Sequence, residues 1–169
     1  MFLDNLFKKK DSEKNIAVFV DGPNILRKEL NVDLDEIKKS LEKFGKVKIG
    51  KVFLNQYASD KLVEAVVNQG FESIITVGDV DVYMAVDATE TIFNNSIQSI
   101  AFVTRDSDFL PVLVKAKRYG KNTIVILAEE ASAAALKNTA DHVIVLGKKW
   151  LNEISWRASS GTGTWFRAK

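Results

Sequence analysis

Cysteine is absent from the 169 residues, and histidine occurs once. The first absence excludes disulfide frameworks, thiolate zinc sites, cysteine nucleophiles and sulfur-held clusters. The second leaves oxygen as the main donor for any metal. No run approaches the roughly 18 to 20 apolar residues of a membrane span, and residues 1–14 lack the apolar stretch of a secretory signal. The phosphate-cradling patterns G-x-x-x-x-G-K-[ST] and G-x-G-x-x-G are missing too, which speaks against a nucleotide-driven motor or any nucleotide cofactor. What is present is an ordinary soluble balance: 46% apolar residues, 27% charged residues and a formal net charge of +2. A domain takes roughly 100 to 200 residues, so one core with short tails is expected. A cytoplasmic protein without a membrane partner is the expectation.

The near-neutral total conceals a segregation. Residues 16–147 carry 15 Lys+Arg against 18 Asp+Glu, whereas residues 148–169 carry five basic side chains and one acidic. The three expected segments are a tail at 1–14, a folded domain at 15–147 and a basic aromatic helix or tail at 148–169. Lys148, Lys149, Trp156, Arg157, Trp165 and Arg167 in the last segment combine cations with rings. That composition suits nucleic acid, because cations displace counterions from phosphate and rings stack on bases. It equally suits a closing helix with a Trp packed on the core. Lys8-Lys9-Lys10 reads as a solvated end.

Within the domain, apolar runs alternate with amphipathic segments. Asn15–Val20 is a short apolar run of the kind buried on both faces of a sheet. Asp33–Phe44 places Leu34, Ile37, Leu41 and Phe44 at helical spacing before Gly45. Strands are expected at 47–54, 71–77, 97–104, 123–127 and 142–146, with helices at 59–69, 80–95, 108–119 and 132–139. Such alternation predicts parallel strands joined by right-handed crossovers: a three-layer α/β/α sandwich around a central, mostly parallel sheet, Rossmann- or flavodoxin-like. Ligands in such folds bind beyond the carboxyl ends of the strands.

Two strands run into aspartate-rich turns at that edge, Asp21-Gly22-Pro23-Asn24 and Thr104-Arg105-Asp106-Ser107-Asp108-Phe109. Gly22 permits a tight turn and Pro23 holds φ near the helical value, so Asp21 and Asn24 project from a rigid elbow. Pro111 has no N–H to offer, so its helix is expected to start near Ser107 or Asp108 with either as cap. Carboxylates gathered at one edge repel one another, a cost offset when a divalent cation binds among them. Mg²⁺ or Mn²⁺, hard ions that take oxygen ligands and water, suit this donor set. Such an ion activates water against a phosphodiester. The helix from Val80 adds Asp81 and Asp87. Periodicity puts Val82, Ala85, Val86, Ile92 and Phe93 on its apolar stripe, Asp81 at the margin and Asp87 away. The strip Met84, Ala88 and Thr91 leaves open a partly covered flank beside Asp87.

These residues resemble the NYN branch of the PIN-like nuclease superfamily, the LabA-like group, from about Ile16 to Leu146. The matches are Val20-Asp21-Gly22-Pro23-Asn24, Val80-Asp81-Val82 opening a helix, Asp87 on that helix, and Thr104-Arg105-Asp106-Ser107-Asp108-Phe109. The resemblance implies a ribonuclease-type site in which Asp21, Asp87 and Asp106 hold the metal, and Asp81 and Asp108 contribute directly or through water. It makes Asp21, Asp87, Asp106 and Asp108 the catalytic set, and Asn24 and Thr104 the residues that orient the carboxylates or contact substrate. A homodimer is compatible with it. Two departures bear on substrate handling: Gly78-Asp79 stands where the branch often has Lys-Gly, and Arg105 stands where a glycine commonly precedes the Asp106 position. Arg105 is then a candidate phosphate ligand. Ser132 and Asp141 resemble late family positions, Ser132 also reading as a cap, and His142 reads as structural.

The expected function is hydrolysis of RNA phosphodiesters by metal-activated water. The alternatives are a PIN-like module that binds RNA or protein without cutting, and a metal-dependent phosphatase for small molecules.

Overall fold

In the computed structural model, the described residues are 14–26, 33–128 and 133–146. Six strands form one sheet: β1 (Asn15–Asp21), β2 (Lys46–Asn55), β3 (Glu72–Thr76), β4 (Ser99–Val103), β5 (Asn122–Leu127) and β6 (His142–Val145). Their order is β3-β2-β1-β4-β5-β6, and every pairing is parallel. The helices are α1 (Gly22–Ile25), α2 (Leu34–Leu41), α3 (Asp60–Asn68), α4 (Val80–Ile92), α5 (Leu110–Arg118) and α6 (Ala134–Thr139). The expected α/β sandwich is therefore present, with a sheet that is wholly parallel.

The alternation within β1 builds both halves of the core. Ala17 and Phe19 face a layer containing Met84, Ala88, Ile92, Leu113, Ala116 and Leu136, from α4, α5 and α6. Ile16, Val18 and Val20 face the opposite layer with Ile37, Leu41 and Val66, from α2 and α3. A strand covered on both sides can be apolar throughout, which is why this run reads without polar alternation.

The strand order reverses between β1 and β4. Connections from β1 to β3 run through helices on one face, and those from β3 to β6 run on the other. The two following loops part at this point, leaving the crevice where ligands sit in open parallel sheets. The register sets Val20 against Val103, so Asp21 and Thr104 emerge side by side.

Two helix assignments differ from expectation. A 3₁₀ turn at Ser107–Phe109 precedes α5, which begins at Leu110 with Pro111 in its first turn. The cap is Asp106, whose side chain accepts from the Asp108 N–H, rather than Ser107 or Asp108. On α4 the expected stripe is only partly the buried one: Ile92 is buried and Ala85 half-buried, but Met84, Ala88 and Thr91 are buried beside them while Val82, Val86 and Phe93 are exposed. Small Ala88 and flexible Met84 let the helix approach the sheet. Valine count had outweighed that fit in the reading by periodicity.

Candidate metal-binding acidic site

Asp21, the last residue of β1, is 1% exposed. Its Oδ1 accepts from the Asn24 N–H at 3.2 Å, and its Oδ2 accepts from Asn24 Nδ2 at 2.7 Å. Thr104 Oγ1 donates to Asp21 Oδ2 at 2.9 Å and accepts from the Asp106 N–H at 3.1 Å. One buried hydroxyl thus ties the elbow after β1 to the loop after β4. Gly22 makes the elbow possible by proximity, since an added Cβ would lie 2.4 Å from the Phe53 carbonyl oxygen. Burial raises the Asp21 carboxyl above its usual range, against the lowering by the Asn24 and Thr104 hydrogen bonds, and Asp106 adds to the rise.

Asp81 reaches the same region from the first turn of α4, which Asp79 caps by accepting from the Asp81 N–H at 3.0 Å. Desolvation, then repulsion from Asp21, Asp106, Asp79 and Asp108, pushes its pKa to about 6. Asp79 was missed as a site residue, although an Asp directly before an opening helix carries a capping signal. Gly78, at φ +108° with nothing near its Cβ position, supplies a backbone conformation that side chains resist. The family's frequent lysine–glycine pair is thus replaced here by a turn and a cap of negative charge.

Asp87 is a correction. Its carboxylate accepts from Lys51 Nζ at 2.9 and 2.7 Å, and both side chains are largely covered. Lys51 also lies 3.9 Å from Glu72. Six residues at about 100° each turn Asp87 roughly 120° from Asp81 around the helix and carry it ~9 Å along the axis. It points toward Lys51 on β2, with Glu72 of β3 beyond. The signal that could have revealed this is Lys51 itself, the last of three lysines on β2 and the one that directly precedes the buried run Val52-Phe53-Leu54.

The remaining candidates are placed as follows. Asn24 and Thr104 bind Asp21, as described. Arg105 and Asp108 are exposed beside the crevice. Asp141 serves elsewhere: it accepts from the Thr123 N–H and Oγ1 at 2.9 and 2.8 Å and pairs with Lys117 at 2.8 Å, at the start of β5. Burial works against its ionisation, but the Lys117 and Thr123 hydrogen bonds prevail and its carboxyl lies below the usual range. His142 packs against Phe44 with ring centroids 4.7 Å apart and planes tilted by 41°, and desolvation holds its imidazole below the usual range. Ser132, Lys148, Lys149, Trp156, Arg157, Trp165 and Arg167 lie outside the described residues.

The donor set suits a hard divalent cation. It is all oxygen, and among the described residues no lysine or arginine is ion-paired with Asp21, Asp81, Asp106 or Asp108. Asp21 Oδ1 accepts a single hydrogen bond and keeps lone-pair capacity. Among the described residues no three acidic or imidazole groups already stand close enough to enclose an ion. The fit is therefore to an ion held by one or two direct carboxylates, with water completing its shell.

The electrostatics predict an inverse stability effect. The folded-state pKa of Asp81, about 6, exceeds its ordinary value of 3.8, so the folded chain binds the extra proton between those values. Stability of the metal-free protein should fall as pH rises through that window. Asp81→Asn should therefore raise the melting temperature of metal-free protein at pH 8 and leave it little changed at pH 4. Thermal melts in chelator check this, and a lower melting temperature at pH 8 would contradict it.

Residues 15–147 match the NYN domain. An uncharacterized protein of Methanocaldococcus jannaschii is 59% identical over 143 residues, which are 85% of this chain and 60% of that protein. The chain thus matches well under two thirds of the archaeal protein's length. A crystal structure of a protein of unknown function from Vibrio parahaemolyticus superposes with a TM-score of 0.72 at 20% identity, covering 83% of this chain and 97% of that one. At that identity the likeness bears on fold alone. Among the described residues no helix is long and apolar enough to cross a membrane.

Proposed function

Because the chain belongs to the NYN domain family of the PIN-like nuclease superfamily, we propose that it is a Mg²⁺- or Mn²⁺-dependent ribonuclease acting at the β1/β4 crevice. The observation that carries this reading is the convergence of two aspartate-bearing loops where β1 and β4 end side by side, with Thr104 Oγ1 joining buried Asp21 to the Asp106 backbone, and with Asp81 near enough for their carboxylates to help push its pKa to about 6. Negative charge concentrated in that way is costly unless the native state holds a cation there. One or two of Asp21, Asp81, Asp106 and Asp108 would hold it directly, the others through water. A divalent ion so bound supplies Lewis-acid polarisation of the phosphoryl oxygen and lowers the pKa of water.

The chain's own groups perform the rest. Asn24 and Thr104 keep the Asp21 carboxylate in one orientation, so metal binding requires little reordering. The Asp106–Asp108 cap shapes the second loop, and Thr104 ties that loop to the first. Arg105, exposed at the rim, offers a forked donor to a substrate phosphate. No protein nucleophile is needed, which agrees with a chain that lacks cysteine. RNA is the substrate class that the family resemblance suggests.

The test is calorimetric titration of the full chain with Mn²⁺, paired with cleavage of single-stranded and structured RNAs before and after chelation. Saturable uptake and chelator-sensitive cleavage are expected. Tight RNA binding without metal uptake would replace the nuclease with a binding module. Turnover of small phosphomonoesters in preference to RNA would replace it with a phosphatase.

A further inference from the structure

Residues 16–147 carry a net negative charge, and the crevice is the most acidic part of them. Asp79, Asp81, Asp106 and Asp108 repel a polyanion wherever no metal ion screens them, so a strand that reaches the crevice needs cations beside it. The sequence concentrates them in one place: residues 109–128, directly after the acidic loop, hold Lys115, Lys117, Arg118 and Lys121 and no acid. Two of these serve the fold. Lys117 donates to the Thr139 carbonyl at 2.8 Å and pairs with Asp141, and Lys121 donates to the carbonyls of Asn94 and Ile97 at 2.8 and 2.6 Å. Lys115 and Arg118 are not ion-paired among the described residues.

These two line a groove of about 610 Å³ on α5, together with Pro111, Val114 and Tyr119. The five lie at i, i+3, i+4, i+7 and i+8, one stripe of the helix, while Val112, Leu113 and Ala116 face the core. Among the described residues that line the groove there is no acid. Tyr119 is 56% exposed, and Phe93 beyond the end of α4 meets its ring edge-on with centroids 4.9 Å apart. Lys115 Nζ stands 5.5 Å from the same Phe93 centroid. Phe93 thus braces both a ring and a cation before any ligand arrives, which lowers the ordering cost of binding.

Pro111 lies in the first turn of α5, three residues after Asp108, and the groove follows the helix from there to Tyr119, about 12 Å along the axis. Arg105 at the rim, then Lys115 and Arg118, mark a track of cations that leads away from the acidic centre. Cations with a ring among them match a single strand, because phosphates pair with lysine and arginine while an unpaired base stacks on the ring. An acidic peptide would satisfy the charges, but a track that starts at the crevice serves a chain that is cut there. Resting on the ribonuclease reading of the crevice, we infer that the α5 groove is a second RNA-binding site. It holds nucleotides of the same strand beyond the scissile phosphate, with Lys115 and Arg118 on phosphates and Tyr119 against a base.

Fluorescence anisotropy of the full chain with a labelled single-stranded RNA, in chelator, reads binding while the strand stays uncut. The wild type should bind with an affinity that falls as salt rises. Lys115→Gln/Arg118→Gln should lower the slope of log affinity against log salt by about 1.4, the effect of two lost phosphate contacts on a single strand. Tyr119→Ala should weaken binding by about tenfold, and Tyr119→Phe, which keeps the ring, should bind as the wild type does. Thermal melts near the wild-type temperature show that each variant folds. Wild-type slope and affinity in both the double variant and Tyr119→Ala overturn the inference, even where Mn²⁺ gives cleavage and the nuclease reading stands. So does polyglutamate that binds the wild type as tightly as RNA and is lost in the same variants, since the partner would then be an acidic protein. RNA binding that depends on the groove without any Mn²⁺-dependent cleavage would uphold the second site and overturn the nuclease reading alone.

Discussion

Asp106→Asn should reduce metal-dependent RNA cleavage by about a thousandfold while melting at the wild-type temperature or slightly above it. Asparagine keeps a side-chain oxygen, so it can still accept from the Asp108 N–H and cap the 3₁₀ turn. What it loses is the charge. Loss of one anionic ligand removes a share of the several kcal/mol that a bound ion contributes to the transition state, and a thousandfold corresponds to about 4 kcal/mol. Asp87→Asn should show the reverse pattern. It breaks the Lys51 pair, whose side chains are 20% and 25% exposed, at a cost of about 1–2 kcal/mol between the limits for surface and buried pairs. Cleavage should stay within about threefold of wild type, because Asp87 is turned away from the crevice. Initial rates in Mn²⁺ and urea unfolding curves on both variants separate the two roles. A thousandfold loss in Asp87→Asn would restore it to the metal-holding set.

The second large effect concerns packing beneath the crevice. Phe102 on β4 is fully buried, stacked against Phe19 at 5.8 Å and close to Phe109 at 5.8 Å. Phe53 extends the series on the other side of Phe19 at 6.4 Å. Phe102→Ala removes the ring that joins strand to loop, leaving a cavity the flanking rings cannot fill. The expected cost is about 3–5 kcal/mol, or a fall in melting temperature of roughly 10 °C for a chain of this size. Phe109 directly follows Asp108, so the acidic loop should loosen with it. Cleavage at temperatures where the variant remains folded should therefore decline as well. Calorimetric unfolding gives the first quantity, and activity against temperature the second. A loss under 1 kcal/mol would mean that neighbouring rings collapse into the space.

Reading the fold from sequence worked where one physical requirement dominated. Asn15–Val20 had to be buried on both faces, and the capped amphipathic segments from Asp33 and Ser59 had one apolar side each; all three are found as expected. Asp21 was legible because strand ends in a parallel sheet share an edge, and the parts of Asn24 and Thr104 because of the family resemblance. α4 misled because it carries apolar residues all round. Its buried side was decided by the shape of the sheet beneath, which favours Ala88 and Met84, and periodicity cannot see that shape. Asp87 entered the metal-holding set through the family resemblance, and spacing alone could not pair it with Lys51, 36 positions away. Asp79 was overlooked because capping, a local role, hid its contribution to the charge around Asp81.

The hydrogen bond between Thr104 and Asp21 spans 83 positions of chain. Half of the crevice is therefore synthesised long before the other half. A nascent chain that has released β1 from the ribosome carries Asp21 without its anchor until β4 has emerged and docked beside it. Closure of the acidic crevice is thereby deferred to a late stage of assembly, after β4 has docked against β1.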